Sequence, residues 1–158
     1  MKFLLDLKLH SPAVKHVNIR NILVPYDGSE HSDRAFDYAL DLAKKYKSNI
    51  ISVSCILEQN QIPEVATPEG LGLQRQREAA SQKMTTLESK ADGLGIKFKG
   101  IIIRTHSVPD AIISYAESND IDIIIVGSRG LGEFKKLLLG SVASTITQYS
   151  KCPVMLVK

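Results

Sequence analysis

Short apolar runs alternate with amphipathic stretches along most of the chain. Five runs are rich in isoleucine, valine and leucine and are bounded by residues that favour turns, which predicts β-strands. Apolar residues at successive positions are typical of strands covered on both faces, as in a parallel sheet. The predicted strands span residues 21–26, 50–56, 96–104, 123–126 and 153–157.

The segments between these strands carry apolar residues at helical spacing, which predicts four helices. The first begins at Ser29 or Ser32 as its N-cap. Its predicted buried face comprises Ala35, Ala39, Leu42, Ala43 and Tyr46. The third runs from Ser107 and Pro109 to Ser118. The fourth begins at Ser141, and its predicted core positions are Val142, Ile146 and Tyr149.

The second helix is predicted to follow a long irregular connection. Residues 58–72 contain two prolines and two glycines, a composition that favours a surface loop. The helix then runs from Leu73 to about Asp92. Its predicted buried seam comprises Ala80, Met84, Leu87, Ala91 and Leu94. In the third strand, Gly100 predicts a bulge or a close packing contact.

Strands that alternate with helices predict an α/β fold with a parallel sheet covered on both faces. A length of 158 residues suits one domain, and neither a linker nor a repeat divides it. The last strand is short and terminal, so we expect it at a sheet edge, where a second copy of the chain can pair with it. Alternating residues near the N-terminus predict an edge strand, a segment that clasps a partner subunit, or a poorly ordered arm.

Composition narrows the class of protein. Hydrophobic residues make up 44% and charged residues 23% of the chain, as in ordinary globular proteins. The net charge of +3 is too small to predict nucleic-acid binding. Two cysteines do not form a disulfide framework, and charged residues interrupt the apolar opening before it can be a signal peptide. No apolar run has the length of a membrane span, so we expect a cytoplasmic protein.

The most informative motif follows the fourth strand. Gly127, Gly130 and Gly140 precede Ser141, where the last helix begins. Backbone N–H groups at a helix N-terminus lack intrahelical partners, and the helix dipole favours negative charge there. Glycine permits close approach of the backbone to a ligand and permits positive φ. The motif therefore predicts a site for a phosphate, with the Ser141 hydroxyl as a further donor.

The end of the first strand is the second candidate region. In an open parallel sheet, ligands bind beyond the carboxyl ends of strands where the strand order reverses. Pro25, Tyr26 and Asp27 end strand one, and Val126 and Gly127 end strand four. Asp27 can accept hydrogen bonds from ribose hydroxyls or help to hold a divalent cation. Alternatively, it forms the turn or caps the next helix.

The glycine spacing differs from the dinucleotide and Walker motifs, and it resembles the G-x2-G-x9-G-[ST] signature of the ATP-binding branch of the universal stress protein family. The resemblance covers residues 18–158 and leaves 1–17 as an N-terminal arm. It implies a three-layer, Rossmann-like fold of the adenine nucleotide alpha hydrolase type with strand order 3-2-1-4-5. It also implies ATP as ligand, with Mg²⁺ or Mn²⁺ bridging its phosphates, and a homodimer through Val154–Val157.

The resemblance also implies roles for individual residues. An aspartate after a proline contacts the nucleotide, which matches Asp27. Adenine contacts the backbone near Cys55, where this chain departs from the family's frequent His-Val; the alternative is that Cys55 is a small core residue. The family commonly has a second hydroxyl two residues after the serine, whereas this chain has Ala143. Arg129 either reaches a phosphate or is exposed to solvent.

Three functions remain open at this stage. The preferred hypothesis is a nucleotide-dependent regulator in the stress response, with ATP bound by Pro25, Tyr26, Asp27, Cys55, Val126, Gly127, Arg129, Gly130, Gly140, Ser141, Val142 and Ala143. The alternatives are a slow ATP hydrolase or nucleotidyl-transfer enzyme, and a nucleotide-free dimeric interaction module. No catalytic set stands out, because the four histidines are scattered through the chain and no metal-ligand spacing occurs.

Overall fold

The structure is a computed structural model that describes residues 18–58, 68–131 and 139–158, with residues 68–70 described by their backbone alone. Strands and helices alternate throughout these ranges. In chain order they are β1 (Asn21–Pro25), α1 (Glu30–Tyr46), β2 (Asn49–Leu57), α2 (Pro68–Asp92), β3 (Phe98–Thr105), α3 (Val108–Ser118), β4 (Ile123–Gly127), α4 (Ser141–Tyr149) and β5 (Val154–Val157). The predicted N-terminal arm, with its proposed edge strand, lies outside the described residues.

The five strands form one parallel sheet in the order β3-β2-β1-β4-β5. This order confirms the predicted fold class, including the position of β5 at a sheet edge. From β1 the chain proceeds outward through β2 to β3, and it then returns to place β4 on the other side of β1. The strand order therefore reverses between β1 and β4.

Helices cover both faces of the sheet and bury two separate apolar clusters. One cluster joins α1 and α2 to strand residues such as Val24 and Ile50. The other joins α3 and α4 to the opposite face, including Leu23 and Ile124. Neighbouring residues of one strand, such as Leu23 and Val24, thus enter different clusters, because successive side chains of a strand point to opposite faces. Burial on both faces explains the uninterrupted apolar runs of the sequence.

Several predicted core residues at helix ends are exposed instead. The exposed fractions are 39% for Tyr46, 48% for Leu94 and 62% for Tyr149. Tyr46 and Tyr149 are the last residues of their helices, and Leu94 lies beyond the end of α2. Helical periodicity continues to these positions in the sequence, but the residues that pack against the sheet lie in the earlier turns. In α1, the buried face also includes Phe36 and Leu40, which the sequence prediction missed.

The start of α2 was predicted five residues too late. The helix begins at Pro68, so residues 68–72 are helical and were wrongly assigned to the irregular connection. Proline suits the first turn of a helix, where its missing N–H has no intrahelical partner. A side chain at Gly72 would meet nothing within 4 Å, so the glycine leaves no gap in the packing of the helix. Residues 59–67 lie outside the described ranges.

Glycine and serine positions explain two further local features. A Cβ atom at Gly100 would lie 2.9 Å from Cβ of Met84, and the β2–β3 register is continuous there, so Gly100 marks close packing rather than a bulge. The Ser29 side chain caps α1 by accepting a hydrogen bond from the N–H of Ser32 at 3.2 Å. Ser107 occupies the N-cap position of α3, but its side chain makes no capping hydrogen bond.

Candidate functional site

A cavity of about 720 Å³ opens at the carboxyl ends of β1 and β4, where the strand order reverses. Its volume is in the range that small-molecule sites occupy. The structure brings all of the sequence-predicted site residues to this one cavity. They are Pro25, Tyr26, Asp27, Cys55, Val126, Gly127, Arg129, Gly130, Gly140, Ser141, Val142 and Ala143.

Asp27 joins the end of β1 to the glycine loop. Its Oδ1 accepts a hydrogen bond from the N–H of Ser29 at 2.9 Å, and its Oδ2 accepts one from the N–H of Leu131 at 3.1 Å. The first bond forms the turn before α1, as the alternative interpretation of this residue predicts. The second ties the turn to the loop after β4. Each carboxylate oxygen still has a second lone pair for a ligand.

Lys83 supports the same turn from α2. Its Nζ donates a hydrogen bond to the carbonyl oxygen of Asp27 at 2.8 Å. The side chain lies over Gly28, which has a φ of 85° and would place a Cβ within the lysine side chain. A non-glycine residue at Gly28 is therefore disfavoured by both conformation and space. No sequence pattern connects Lys83 with this site, because the two residues in contact are 56 positions apart in the chain.

The three glycines of the motif permit close approach between parts of the protein itself. A Cβ at Gly127 would lie 2.7 Å from the backbone of His31, and one at Gly130 would lie 2.6 Å from Oδ2 of Asp27. At Gly140 the nearest atom would be the Ser128 oxygen, at 3.4 Å. Positive φ occurs at Gly28 and Gly95, not at these three positions, so the predicted conformational reason for the motif is wrong.

The N-terminus of α4 presents donors to the cavity. Gly140 is the N-cap with extended backbone angles, and it has no side chain to cap the helix. The N–H groups of the first three helical residues have no intrahelical acceptor, since bonding of that kind begins one turn later. Those residues, Ser141, Val142 and Ala143, line the cavity. The amide of Gly140 itself donates to the Ser128 oxygen at 2.7 Å, which closes the base of the loop.

Burial changes the ionisation of two residues at the cavity. Cys55 is half-buried, and loss of solvation raises the pKa of its thiol to about 11. Burial also raises the pKa of Tyr26, as does the hydrogen bond that its hydroxyl donates to Asp33 at 2.5 Å. Both groups therefore remain neutral at pH 7. Their side chains form uncharged walls rather than nucleophiles.

Arg129 and Ala143 differ sharply in exposure. The Arg129 side chain is exposed, as one interpretation of the sequence predicts, and it also borders the cavity. Arg129 is therefore accessible to solvent and also lies at the edge of the cavity. Ala143 is only 3% exposed and packs in the cluster beneath α4. Its backbone, rather than its side chain, is what this position offers to a ligand.

Five cavity residues escaped the sequence prediction: His31, Ser32, Val108, Ile112 and Leu131. Val108 and Ile112 belong to α3 and give the cavity an apolar wall. His31 is one of four histidines that are scattered along the sequence, yet the first turn of α1 places it beside Gly127. These segments carry no motif of their own, so their place at the cavity depends on contacts between distant parts of the chain.

The described ranges contain neither a metal-binding cluster nor a membrane-spanning helix. Residues 18–58, 68–131 and 139–158 contain no cluster of three histidine, cysteine or acidic residues suited to a metal ion. Within the same ranges, no helix combines the length and apolar character needed to cross a membrane.

An open parallel sheet with a cavity at its switch point defines the broad class as a Rossmann-like α/β protein. A sequence model of the universal stress protein family matches residues 18–158. The chain belongs to the universal stress protein family.

Individual relatives agree with this assignment. Universal stress protein YxiE of Bacillus subtilis is 28% identical over 145 residues, which cover 87% of this chain and 97% of YxiE. The solved structure of MJ0577, a universal stress protein of Methanocaldococcus jannaschii, superposes with a TM-score of 0.75 at 32% identity, covering 90% of this chain and 97% of that one. An Arabidopsis thaliana family protein solved with AMP bound shares the fold, with a TM-score of 0.64 at 22% identity, covering 88% of this chain and 91% of that one.

Proposed function

We propose that this chain is an ATP-binding universal stress protein that acts as a nucleotide-dependent regulator. The observation that carries the proposal is the N-terminus of α4. Its N-cap is a glycine without a capping side chain, and its first three residues line a cavity at the switch point of the sheet. Unpaired N–H groups and the positive end of the helix dipole together favour a phosphate group there.

The remaining parts of the nucleotide can be assigned along the cavity. The triphosphate lies against Gly130, Gly140 and Ser141, with the Ser141 hydroxyl and exposed Arg129 as additional donors. Asp27 accepts hydrogen bonds from the ribose with the lone pairs that the turn leaves available. The adenine ring lies toward the backbone at Cys55, beside the apolar wall from α3. The AMP bound by the Arabidopsis protein of the same fold is consistent with an adenine nucleotide here.

A divalent cation fits this arrangement only as a companion of the phosphates. Asp27 is the carboxylate at the cavity, and the described residues add no cluster that could hold a metal alone. Mg²⁺ commonly binds through one or two carboxylates together with substrate phosphates and water. In this second role, as the alternative to binding the ribose, Asp27 would hold Mg²⁺ or Mn²⁺ bound to ATP, and the cation would neutralise charge on the phosphates.

Regulation follows from the connection of the site to the loop. Asp27 contacts Leu131, and the Gly140 amide closes the same loop at Ser128. A phosphate bound between these points would favour one arrangement of the loop and so change the surface presented to a partner. The free thiols of Cys55 and Cys152 suit the reducing cytoplasm, where we expect the protein to act.

The test is calorimetric titration of the protein with ATP and Mg²⁺, using adenosine as a second ligand. Ser141→Ala should weaken ATP binding about 10-fold, as expected for one hydrogen bond to a charged group, and should leave adenosine binding unchanged. Ser144→Ala is the matched control, because Ser144 is exposed on the same helix and outside the cavity. Absence of ATP binding by the unmodified protein would refute the proposal.

We further propose that a second copy of the chain pairs along β5. This strand bonds to β4 on one side, and no described strand occupies its other side. An open edge of this kind can pair with its own two-fold copy. Sedimentation equilibrium should give twice the mass of one chain, whereas a monomer at high concentration would contradict the proposal.

A further inference from the structure

His31 borders the cavity but has no role in the nucleotide assignment above. It lies in the first turn of α1, and its backbone packs so closely on the end of β4 that a Cβ at Gly127 would lie 2.7 Å from its carbonyl carbon. The fold therefore fixes its backbone against the loop that follows β4. Its imidazole is half-buried, so it is partly shielded from solvent.

Two neighbours determine which nitrogen of the imidazole carries the proton. Nδ1 lies 3.3 Å from Nη2 of Arg34 and 3.4 Å from Oγ of Ser128. A guanidinium can only donate hydrogen bonds, so Nδ1 accepts from Arg34. The hydroxyl of Ser128, a residue only 1% exposed, can donate to the same nitrogen. The ring proton of the neutral imidazole therefore resides on Nε2.

The Nε2–H group is left available for a ligand. It makes no hydrogen bond with any residue in the described ranges, whereas Nδ1 has two possible donors. Arg34 is itself balanced in part by Glu30, whose Oε1 lies 3.6 Å from the same Nη2. Arg34 does not line the cavity, so its contact with Nδ1 serves to orient the imidazole ring.

We infer that His31 donates a hydrogen bond from Nε2 to a phosphate oxygen of the bound nucleotide, with Arg34 as the positioning residue. This inference rests on the proposed function and adds a contact from α1 to those from α4. In this tautomer His31 acts as a hydrogen-bond donor and not as a phosphoryl acceptor. The Nε2 lone pair is not available while that nitrogen carries the proton, and the Nδ1 lone pair is directed at Arg34 and Ser128.

Two substitutions at His31 test the donor. Glutamine can place an amide N–H near the position of Nε2, whereas the shorter asparagine cannot reach it. His31→Asn should weaken MgATP binding about 10-fold, the loss expected for a hydrogen bond to a charged group, and should leave adenosine binding unchanged. His31→Gln should bind MgATP within about twofold of the unmodified protein, because one amide donor replaces another. His106→Asn is the matched control, since His106 is exposed and outside the cavity.

A double-mutant cycle tests the positioning role. Arg34→Met should weaken MgATP binding about threefold in the unmodified protein and should have no further effect in the His31→Asn background, because the two residues act through one contact. Equal effects of Arg34→Met in both backgrounds would overturn the positioning role. Long-range proton–nitrogen NMR of the histidine rings gives an independent readout, in which the expected result is a protonated Nε2 and a protonated Nδ1 would overturn the inference.

The outcomes separate this inference from the proposed function. If the unmodified protein binds neither MgATP nor adenosine, both fail. If it binds MgATP and His31→Asn binds equally well, the proposed function stands and the contact from His31 is refuted. Phosphate recovered covalently on His31 after incubation with ATP would also refute the donor role.

Discussion

Replacing Gly140 with aspartate should raise the stability of the protein and strongly weaken the ATP binding that we propose. Gly140 is the N-cap of α4, with φ of −69° and ψ of 152°, and these angles suit an ordinary N-cap residue. The new Cβ would lie 3.4 Å from the Ser128 oxygen and 3.5 Å from Cα of Arg129, so only a small adjustment is needed. The carboxylate could then accept hydrogen bonds from the amides that the proposed phosphate would use.

The substitution should change the free energies of folding and of ATP binding in opposite directions. An acidic cap in place of glycine adds a few tenths of a kcal/mol through its hydrogen bonds and about 0.3–1 kcal/mol through the helix dipole. The stability gain should therefore be about 1 kcal/mol, or about 3 °C in the melting temperature for a chain of this size. A carboxylate about 5 Å from a phosphate charge costs about 3 kcal/mol at an effective dielectric constant near 20, which corresponds to about 100-fold weaker binding.

The assay combines urea unfolding without ligand with calorimetric titration of MgATP. Gly140→Asn is the matched control, because asparagine also caps helices but carries no charge. It should give a similar stability and a smaller loss of affinity. Undiminished MgATP binding by Gly140→Asp would show that phosphate does not lie at the N-terminus of α4. A clear loss of stability would instead refute the described geometry of the cap.

Three further outcomes follow from the described residues. Phe36→Ala should lower the free energy of unfolding by about 3–5 kcal/mol in urea titrations, because Phe36 is fully buried and packs edge-to-face on Phe98; a loss below 1 kcal/mol would contradict this packing. Cys55 should react slowly with iodoacetamide at pH 7 and faster as the pH approaches 11, because burial raises its pKa, and rapid alkylation at pH 7 would exclude that environment. Tyr26→Phe should lower stability by about 1 kcal/mol at neutral pH through loss of the bond to Asp33. Below pH 10 the Tyr26 hydroxyl is protonated in both the folded and the unfolded state, so its contribution to stability is complete. Above pH 10 the unfolded state loses this proton more readily, because burial and Asp33 raise the pKa in the folded state. The difference in stability between the two proteins should therefore shrink above pH 10 in pH-dependent unfolding.

The order of strands and helices was predictable because it depends on local patterns. Apolar runs and helical spacing identified each element of the described residues, and Gly100 was expected to mark either a bulge or close packing, of which the structure has the second. Helix ends were less predictable, since a periodic pattern does not show where the sheet beneath it stops. Tyr46 and Tyr149 continue the pattern of their helices but lie beyond the packed turns.

The parts of the candidate site that lie in one continuous segment with a recognisable motif were predictable. The glycine motif and the end of β1 were each recognisable in the sequence, and the structure brings them together at the cavity. His31 and Lys83 could not be found in this way, because their relation to the cavity arises from contacts between distant segments. Gly127 and Gly130 also make room for α1 and for Asp27, a role that no pattern within the motif predicts.

The hydrogen bond from the Gly140 amide to the Ser128 carbonyl brings both ends of an eleven-residue segment, 129–139, to one point at the rim of the sheet. Because its two ends are held together, the segment can change in length without moving the strands. Loop-closure entropy grows slowly with length, by about 0.6 kcal/mol for each doubling. Lengthening this segment should therefore cost little free energy of folding and should leave the register of the strands unchanged.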